Sequence, residues 1–272
     1  MEPPLEKASV PLKLAEAREA LARGTGKDVR IAVIDSGVET DHPQLAGTKL
    51  IDDLHIAETG IQIEVRPGDG TDLFGHGTAI AAIIRRIAPE AQLGSFRVLG
   101  ESLASRTVII REGVRQAIER GYHILNCSFG CGVLEHIFQY KDWIDEAYLK
   151  GIHIVSSCNN YDFTKPEWPG YFPSVVTVNM ARFDDDHTFF YKPGHLVEFA
   201  ARGVGVTLPW NHHSVKEVSG SSFAAPIITG LLARLISVMP SLSPLEAKAL
   251  LHRLAKPWSP EVIASNVSYT VD

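Results

Sequence analysis

Short apolar runs alternate along the chain with stretches in which apolar residues recur every three or four positions. The first run, Val29-Arg30-Ile31-Ala32-Val33-Ile34, is rich in β-branched residues and is typical of a strand buried in a parallel sheet. Further strands are predicted at 92–98, 122–128, 152–157, 174–180 and 196–200. Helices are predicted at about 12–23, 76–87, 104–120, 135–150, 222–239 and 243–254. Residues 41–70 carry Pro, Gly and Asp and are predicted as surface loops with one or two short strands.

This alternation of strands and helices predicts an α/β fold. The expected architecture is a three-layer, doubly wound, mostly parallel sheet with helices on both faces. The chain shows no internal repeat, no low-complexity linker and no shift in composition. We therefore predict one domain over residues 1–272, with its core at about 12–255.

Composition narrows the class of protein. The 272 residues are 45% hydrophobic, which is enough for a sizeable core, and a net charge of −6 without a Lys/Arg cluster argues against a nucleic-acid partner. The three cysteines, Cys127, Cys131 and Cys158, are too few for a disulfide framework and favour a reducing compartment. We see neither a secretory signal nor an apolar run of the roughly 18 residues that a membrane span needs. The expectation is a cytoplasmic protein with no membrane contact.

Four polar residues stand at ends of predicted elements. Asp35 ends the first strand, His76 begins a helix between two glycines, Ser222 begins the apolar helix at 222–239, and Asn159 follows a strand. Taken singly, the aspartate is typical of a turn, the histidine of a structural role and the serine of a helix N-cap. Together they supply a nucleophile, a base, a carboxylate that orients the base, and an amide donor for an oxyanion.

The sequences around these residues resemble those of the subtilisin-like serine peptidases, the subtilases. The segments concerned are Val33-Ile34-Asp35-Ser36-Gly37-Val38, Gly75-His76-Gly77-Thr78-Ala79 and Gly220-Ser221-Ser222-Phe223-Ala224-Ala225-Pro226. The resemblance implies a serine endopeptidase that works through an acyl-enzyme. The family pattern places the nucleophile four residues before the proline, which selects Ser222 over Ser221. It makes His76 the general base, Asp35 its orienting carboxylate, and Asn159 rather than Asn160 the oxyanion donor.

The resemblance also implies a substrate site. An extended peptide would lie beside Ser128, Phe129 and Gly130, and the S1 pocket would have strand 154–159 as its wall. In that strand Ser157 and Cys158 replace the usual Ala-Gly, and Cys158 is either a redox-sensitive thiol or a small buried hydrophobe. Glu167 falls at the pocket floor, where it would favour Lys or Arg at P1; the alternative is that it turns out to solvent.

Two features of the family are expected to be absent. We expect no prodomain before the peptidase domain and no calcium-binding insertion at 80–92, and Gln44 stands where an acidic calcium ligand is usual in the family. We therefore predict that the strong calcium site is absent and that there is no metal and no cofactor. Neither the cysteines nor His212-His213 has a convincing set of zinc ligands around it, and Asp184-Asp185-Asp186 is interpreted as a solvated loop.

The sequence as a whole favours an intracellular processing protease with restricted specificity. Its partners would be a peptide or protein substrate and a regulatory partner or inhibitor, since a protease without a prodomain needs another restraint. The alternatives left open are general intracellular turnover, a peptide-binding module with the same fold, a protease whose closed site is opened by a partner, and a domain of a larger protein.

Overall fold

Six helices and a large sheet make up the fold in the computed structural model, which describes residues 13–258. The helices are α1 (Leu14–Arg23), α2 (His76–Ile87), α3 (Thr107–Glu119), α4 (Ile137–Leu149), α5 (Ser221–Val238) and α6 (Pro244–Leu254). The strands are β1 (Arg30–Asp35), β2 (Leu50–Thr59), β3 (Gln62–Pro67), β4 (Gln92–Arg97), β5 (Ile124–Cys127), β6 (His153–Ser157), β7 (Val176–Ala181), β8 (Phe189–Tyr191), β9 (Phe199–Arg202), β10 (Val206–Trp210), β11 (Ser214–Val218) and β12 (Lys256–Pro257).

The main sheet has the strand order β12-β8-β9-β7-β6-β5-β1-β4-β2-β3. Every neighbouring pair from β9 to β2 is parallel, and antiparallel pairing is confined to β2–β3 and β8–β9 towards the edges. The β10 and β11 strands form a separate antiparallel hairpin. The predicted doubly wound, mostly parallel α/β fold is confirmed.

Two apolar cores cover the two faces of the sheet. Alternate residues of β1 point to opposite faces, so Ile31 and Val33 enter one core while Ala32 and Ile34 enter the other. Helices α1, α2, α5 and α6 pack into the first core, and α3 and α4 into the second. Because β1 is buried on both sides, its sequence is a continuous apolar run rather than an alternating one.

Two expectations need correction. Residues 41–70 hold a longer hairpin than predicted, because β2 and β3 form a half-exposed sheet edge whose polar residues hide the strand pattern. Helix α5 does meet the length and composition of a membrane span, with a mean hydropathy of 1.5 over 18 residues. Buried core helices pass the same test, and 78% of this helix is buried inside the fold.

The topology gathers the candidate residues at one edge of the sheet. Strands β6, β5 and β1 are neighbours and parallel, so their carboxyl ends lie side by side. Asp35 is the last residue of β1, the segment 128–130 follows β5, and the segment 158–159 follows β6. The first residues of α2 and α5 meet this edge from the face that both helices cover. Such an edge is where open α/β sheets usually place their sites.

Candidate active site

Asp35 and His76 form a buried pair. Asp35 Oδ1 lies 2.8 Å from His76 Nδ1, and the two residues are 0% and 5% exposed. The same carboxylate oxygen accepts the backbone N–H of Ser36 at 2.8 Å. A carboxylate held in this way favours the tautomer in which Nδ1 carries the proton, which leaves Nε2 free to accept one.

A second buried carboxylate, Asp72, fixes the start of α2. Its Oδ1 accepts the backbone N–H groups of Phe74 (3.0 Å) and Gly75 (2.8 Å) and the hydroxyl of Ser36 (2.7 Å). Its Oδ2 accepts the backbone N–H and the hydroxyl of Thr78. These bonds satisfy amide groups at the helix start and set the position of His76. Sequence analysis gave Asp72 no role, although an aspartate shortly before a helix is a capping signal.

The pKa of His76 reflects two opposing influences. Burial alone lowers the pKa, because an apolar surrounding disfavours the imidazolium form. The charge and hydrogen bond of Asp35, together with the charge of Asp72, outweigh that penalty and raise the pKa above its ordinary value. The site therefore stabilises the imidazolium that a general base becomes when it accepts a proton.

The two serines at the start of α5 differ in environment. Ser221 is 0% exposed, and its hydroxyl donates to the carbonyl of Cys158 at 2.7 Å and accepts the Cys158 N–H at 3.3 Å. Ser222 is partly exposed, and its hydroxyl donates to the carbonyl of Ser128 at 3.2 Å. Ser221 thus ties α5 to the end of β6, whereas Ser222 is accessible to a substrate.

Pro226 explains how Ser222 is anchored. In a regular helix the N–H of residue 226 would bond to the carbonyl of residue 222, but proline has no N–H. Ser128 Oγ donates to this freed carbonyl at 3.0 Å, and Asn126 Nδ2 in turn donates to Ser128 Oγ at 2.9 Å. Residue 128 therefore contributes to the site through its side chain as well as through its backbone.

Ser222 and His76 are not hydrogen-bonded to each other among the described residues. The ring of Phe223, the residue after Ser222, packs against the ring of His76 with 5.3 Å between centroids. Among the described residues, the hydroxyl of Ser222 donates its hydrogen bond to the carbonyl of Ser128 and not to His76. Catalytic hydrogen bonds are often long or misaligned in empty sites, and a rotation of the Ser222 side chain would be needed to align this one.

The amide of Asn159 is held at both ends. Its Oδ1 accepts the backbone N–H groups of Tyr161 (2.9 Å) and Asp162 (2.8 Å), and its Nδ2 donates to Glu167 Oε1 at 2.7 Å. The neighbouring Asn160 acts differently, since its Oδ1 accepts the backbone N–H of Ser221 at 2.8 Å. Sequence analysis gave Asn160 no role; here it helps to hold the start of α5.

Glu167 turns into the site and not out to solvent. Its side chain lies against Gly130, where an added Cβ would stand 2.5 Å from Glu167 Oε2. The backbones of Cys131 and Trp168 exchange two hydrogen bonds of 2.9 Å, which hold these segments together. Glu167 therefore contacts Gly130 on one side and Asn159 on the other.

Cys158 is a buried thiol in this structure. Burial raises the pKa of its thiol to about 12, and its Sγ lies 3.5 Å from Asn179 Oδ1. A neutral buried thiol is a poor nucleophile and is slow to oxidise, so the geometry favours the packing role over the redox role. Ser157, also buried, is the last residue of β6.

An open cavity of about 670 Å³ lies beside the segment that follows β5. Phe129, Gly130 and Cys131 line one side, and Leu99, Leu103, Ile110 and Tyr140 contribute apolar surface. None of the residues predicted for the S1 pocket, which are strand 154–159 and Glu167, lines this cavity.

One group of oxygen and nitrogen ligands lies outside this site. Ligand atoms of Glu39, Asp41 and His213 lie within 4.8 Å of one another. Both oxygens of Glu39 already accept backbone N–H groups, from His212 and His213, and His213 pairs with Asp41. These contacts account for the cluster as a tie between the β10–β11 hairpin and the loop after β1. The absence of a metal stays a prediction.

Comparisons with known proteins give a consistent result. The model of the subtilase family matches residues 26–268. Thermitase from Thermoactinomyces vulgaris is 26% identical over 225 residues, which is 82% of this chain and 80% of that relative. Subtilisin DY from Bacillus licheniformis is 25% identical over 246 residues, 85% of each chain. The solved structure of sphericase superposes with a TM-score of 0.69 at 23% identity, over 88% of each chain, and supports the fold.

Proposed function

This chain belongs to the subtilase family of serine peptidases, and from that membership we propose that it is an endopeptidase in which Ser222 is the nucleophile. His76 Nε2 takes the proton of the Ser222 hydroxyl as the oxygen attacks the scissile carbonyl, and later gives it to the leaving amine. Asp35 orients the imidazole and stabilises its protonated form. Asn159 Nδ2 and the Ser222 N–H donate hydrogen bonds to the oxyanion.

The observation that carries this proposal is the buried Asp35–His76 pair beside the first turn of α5. The 2.8 Å contact and the raised pKa of His76 are what a general base needs in order to hold a proton in the transition state. The accessible hydroxyl of Ser222 and the buried one of Ser221 support the assignment of the nucleophile.

We propose that the substrate is an extended peptide with Lys or Arg at P1. It would add as a strand beside segment 128–130. The inward position of Glu167 supports a basic P1 residue, since a carboxylate at the pocket floor would pair with it. A well-formed pair would discriminate against a neutral P1 residue by about 1–3 kcal/mol.

The proposed role is that of an intracellular processing protease with restricted specificity. Cys127, Cys131 and Cys158 are all free thiols, which suits a reducing compartment. A narrow S1 preference would restrain activity towards other cellular proteins, and a regulatory partner or inhibitor would add to that restraint.

A peptide library with mass-spectrometric readout tests this function. The wild-type chain should cleave after Lys and Arg, and Ser222→Ala should not cleave at all. Addition of a chelator should leave the rate unchanged, because the proposal involves no metal. Cleavage that is indifferent to the P1 residue would refute the specificity, and cleavage by Ser222→Ala would refute the mechanism.

A second candidate is a protease that a partner protein must open. The bond from Ser222 to Ser128 and the bond from Asn159 to Glu167 favour it, because both proposed catalytic donors are bonded to other acceptors. In that case folded wild-type protein would cleave nothing alone and would gain activity when the partner is added. Activity of the purified chain alone would exclude this candidate.

A further inference from the structure

We propose that Glu167 couples the charge of the P1 residue to the oxyanion hole. Its carboxylate accepts a hydrogen bond from the amide of Asn159, and a positively charged P1 side chain releases Asn159 by drawing that carboxylate to itself. Recognition and catalysis thereby share one hydrogen bond. This inference rests on the proposed function, and it adds that P1 selectivity acts on the catalytic step.

The geometry places Asn159 between two sets of partners. Its Oδ1 is fixed by the N–H groups of Tyr161 and Asp162, so the amide plane has little freedom to turn. Its Nδ2 lies 2.7 Å from Glu167 Oε1, which is a short, charge-assisted hydrogen bond. The group expected to meet the oxyanion is therefore already bonded to an anion.

The position of Glu167 beside Gly130 is set by backbone hydrogen bonds and not by an ion pair. The isolated β-bridge between Cys131 and Trp168 sets Glu167 beside Gly130, and the Glu167 side chain fills the space that a Cβ there would occupy. Among residues 13–258, no lysine or arginine forms an ion pair with Glu167; its side chain bonds to Asn159. The described residues thus give this carboxylate no cationic partner.

Electrostatics gives the direction of the effect. The oxyanion should form about 2.7–3.1 Å from its donors, and Glu167 competes with it for the amide of Asn159. While the carboxylate accepts from Asn159, that amide is a weaker donor to the oxyanion. A P1 lysine or arginine draws the carboxylate to itself and frees Asn159.

Matched substrates provide the test. Two fluorogenic peptides would differ at P1 alone, one with lysine and one with norleucine, which has a similar shape and no charge. In wild type, kcat should favour lysine by roughly tenfold or more. Glu167→Gln, which keeps the size and removes the charge, should raise kcat for the norleucine peptide by roughly tenfold and lower kcat/KM for the lysine peptide.

The same substitution in an Asn159→Ala background isolates the coupling. If Glu167 acts through Asn159, the gain in kcat for the norleucine peptide should shrink to less than about twofold when the amide is absent. Glu135→Gln is the control, because it removes one exposed carboxylate from the segment before α4 without touching the site. It should change neither rate. Thermal melting of each variant, with Glu167→Ala as a second substitution at the same position, tests whether the changes in rate come from misfolding.

The outcomes separate this inference from the function on which it rests. A P1 preference expressed in KM alone, or an equal gain from Glu167→Gln with and without Asn159, would overturn the coupling while leaving the peptidase intact. Absence of Ser222-dependent turnover with either peptide would overturn the proposed function, and the coupling with it.

Discussion

Two buried carboxylates act on His76, and they do so in different ways. Asp35 contacts the ring directly at Nδ1, so it sets the tautomer as well as the charge preference. Asp72 bonds to the backbone at the start of α2 and reaches the imidazole through its charge alone. Asp72 therefore contributes to the pKa of His76 in addition to its role in capping the start of α2.

This arrangement predicts a shifted pH dependence. His76 must be neutral to act as a base, and its pKa is raised, so kcat/KM should fall on acidification with an apparent pKa above 6.5. Asp72→Asn removes a negative charge that raises that pKa, so the acid limb should move to lower pH. A pH–rate profile of both proteins measures this. An acid limb that stays in place would show that Asp72 does not influence the base.

The two adjacent asparagines are predicted to behave differently. Asn159→Ala removes the side-chain donor to the oxyanion, and kcat should fall about 10²–10³-fold, as is typical of such donors in this family. Asn160→Ala removes an acceptor for the Ser221 N–H, so it should lower the free energy of unfolding by about 1 kcal/mol with a far smaller loss of kcat. Steady-state kinetics and chemical denaturation distinguish the two. A larger loss of kcat in Asn160→Ala than in Asn159→Ala would instead identify Asn160 as the oxyanion donor.

At the scale of elements, the start of α5 is the junction on which the site depends. Ser221 bonds it to the end of β6, and Ser128 bonds it to the segment after β5 through the carbonyl that Pro226 leaves unpaired. Thr229, further along the helix, donates to the buried Asn126 Oδ1 at 2.8 Å. These bonds fix the position of Ser222 relative to two neighbouring strands of the sheet.

The contact between α5 and α2 yields a stability prediction. A Cβ on Gly230 would lie 2.7 Å from Ile87 Cβ, so the two helices approach closely at this point. Gly230→Ala should destabilise the protein by about 1–3 kcal/mol through overpacking, in spite of a gain of up to about 1 kcal/mol in helix propensity. Urea denaturation measures it, with Ser237→Ala near the end of the same helix as the control. A stabilised Gly230→Ala variant would contradict the packing described here.

The sequence predicts elements and contacts to different degrees. The strand β1 and the helix α2 follow from a buried apolar run and from a helical period, so both were predicted nearly residue by residue. The β2 strand was underestimated, because its half-exposed edge shows no clean alternation. The bond between Asn159 and Glu167 joins two loops, and no periodicity encodes the direction of a side chain in a loop.

At the scale of the whole molecule, the parallel sheet converts distant segments into one site. Asp35, His76 and Ser222 are far apart in sequence, and they meet because neighbouring strands end at the same edge while α2 and α5 share a face. The motifs could therefore be recognised in the sequence, whereas the orientation of each side chain could not. The roles of Asp72 and Asn160 are not predicted, because both residues bond to backbone amides, and Asp72 also to two hydroxyls, that only the fold brings into reach.

Calcium dependence is a property of the whole molecule, and we predict that it is weak. Gln44 offers no carboxylate, and α2 runs without interruption from His76 to Ile87, where the family carries a calcium-binding insertion. Because a ligand stabilises a fold only if it binds the folded state, excess Ca²⁺ or chelator should shift Tm by less than about 1 °C. Differential scanning calorimetry measures it. A rise of several degrees with Ca²⁺ would reveal a site made from other ligands.

Covalent labelling tests the proposal that Ser222 is the nucleophile of an assembled serine peptidase site. A fluorophosphonate probe should label wild type, and peptide mapping should place the adduct on Ser222. Ser222→Ala should not label. Ser221→Ala should still label, although the lost bonds to Cys158 should reduce its stability by about 1–3 kcal/mol. An adduct on Ser221, or a folded wild-type protein that resists the probe, would contradict the account.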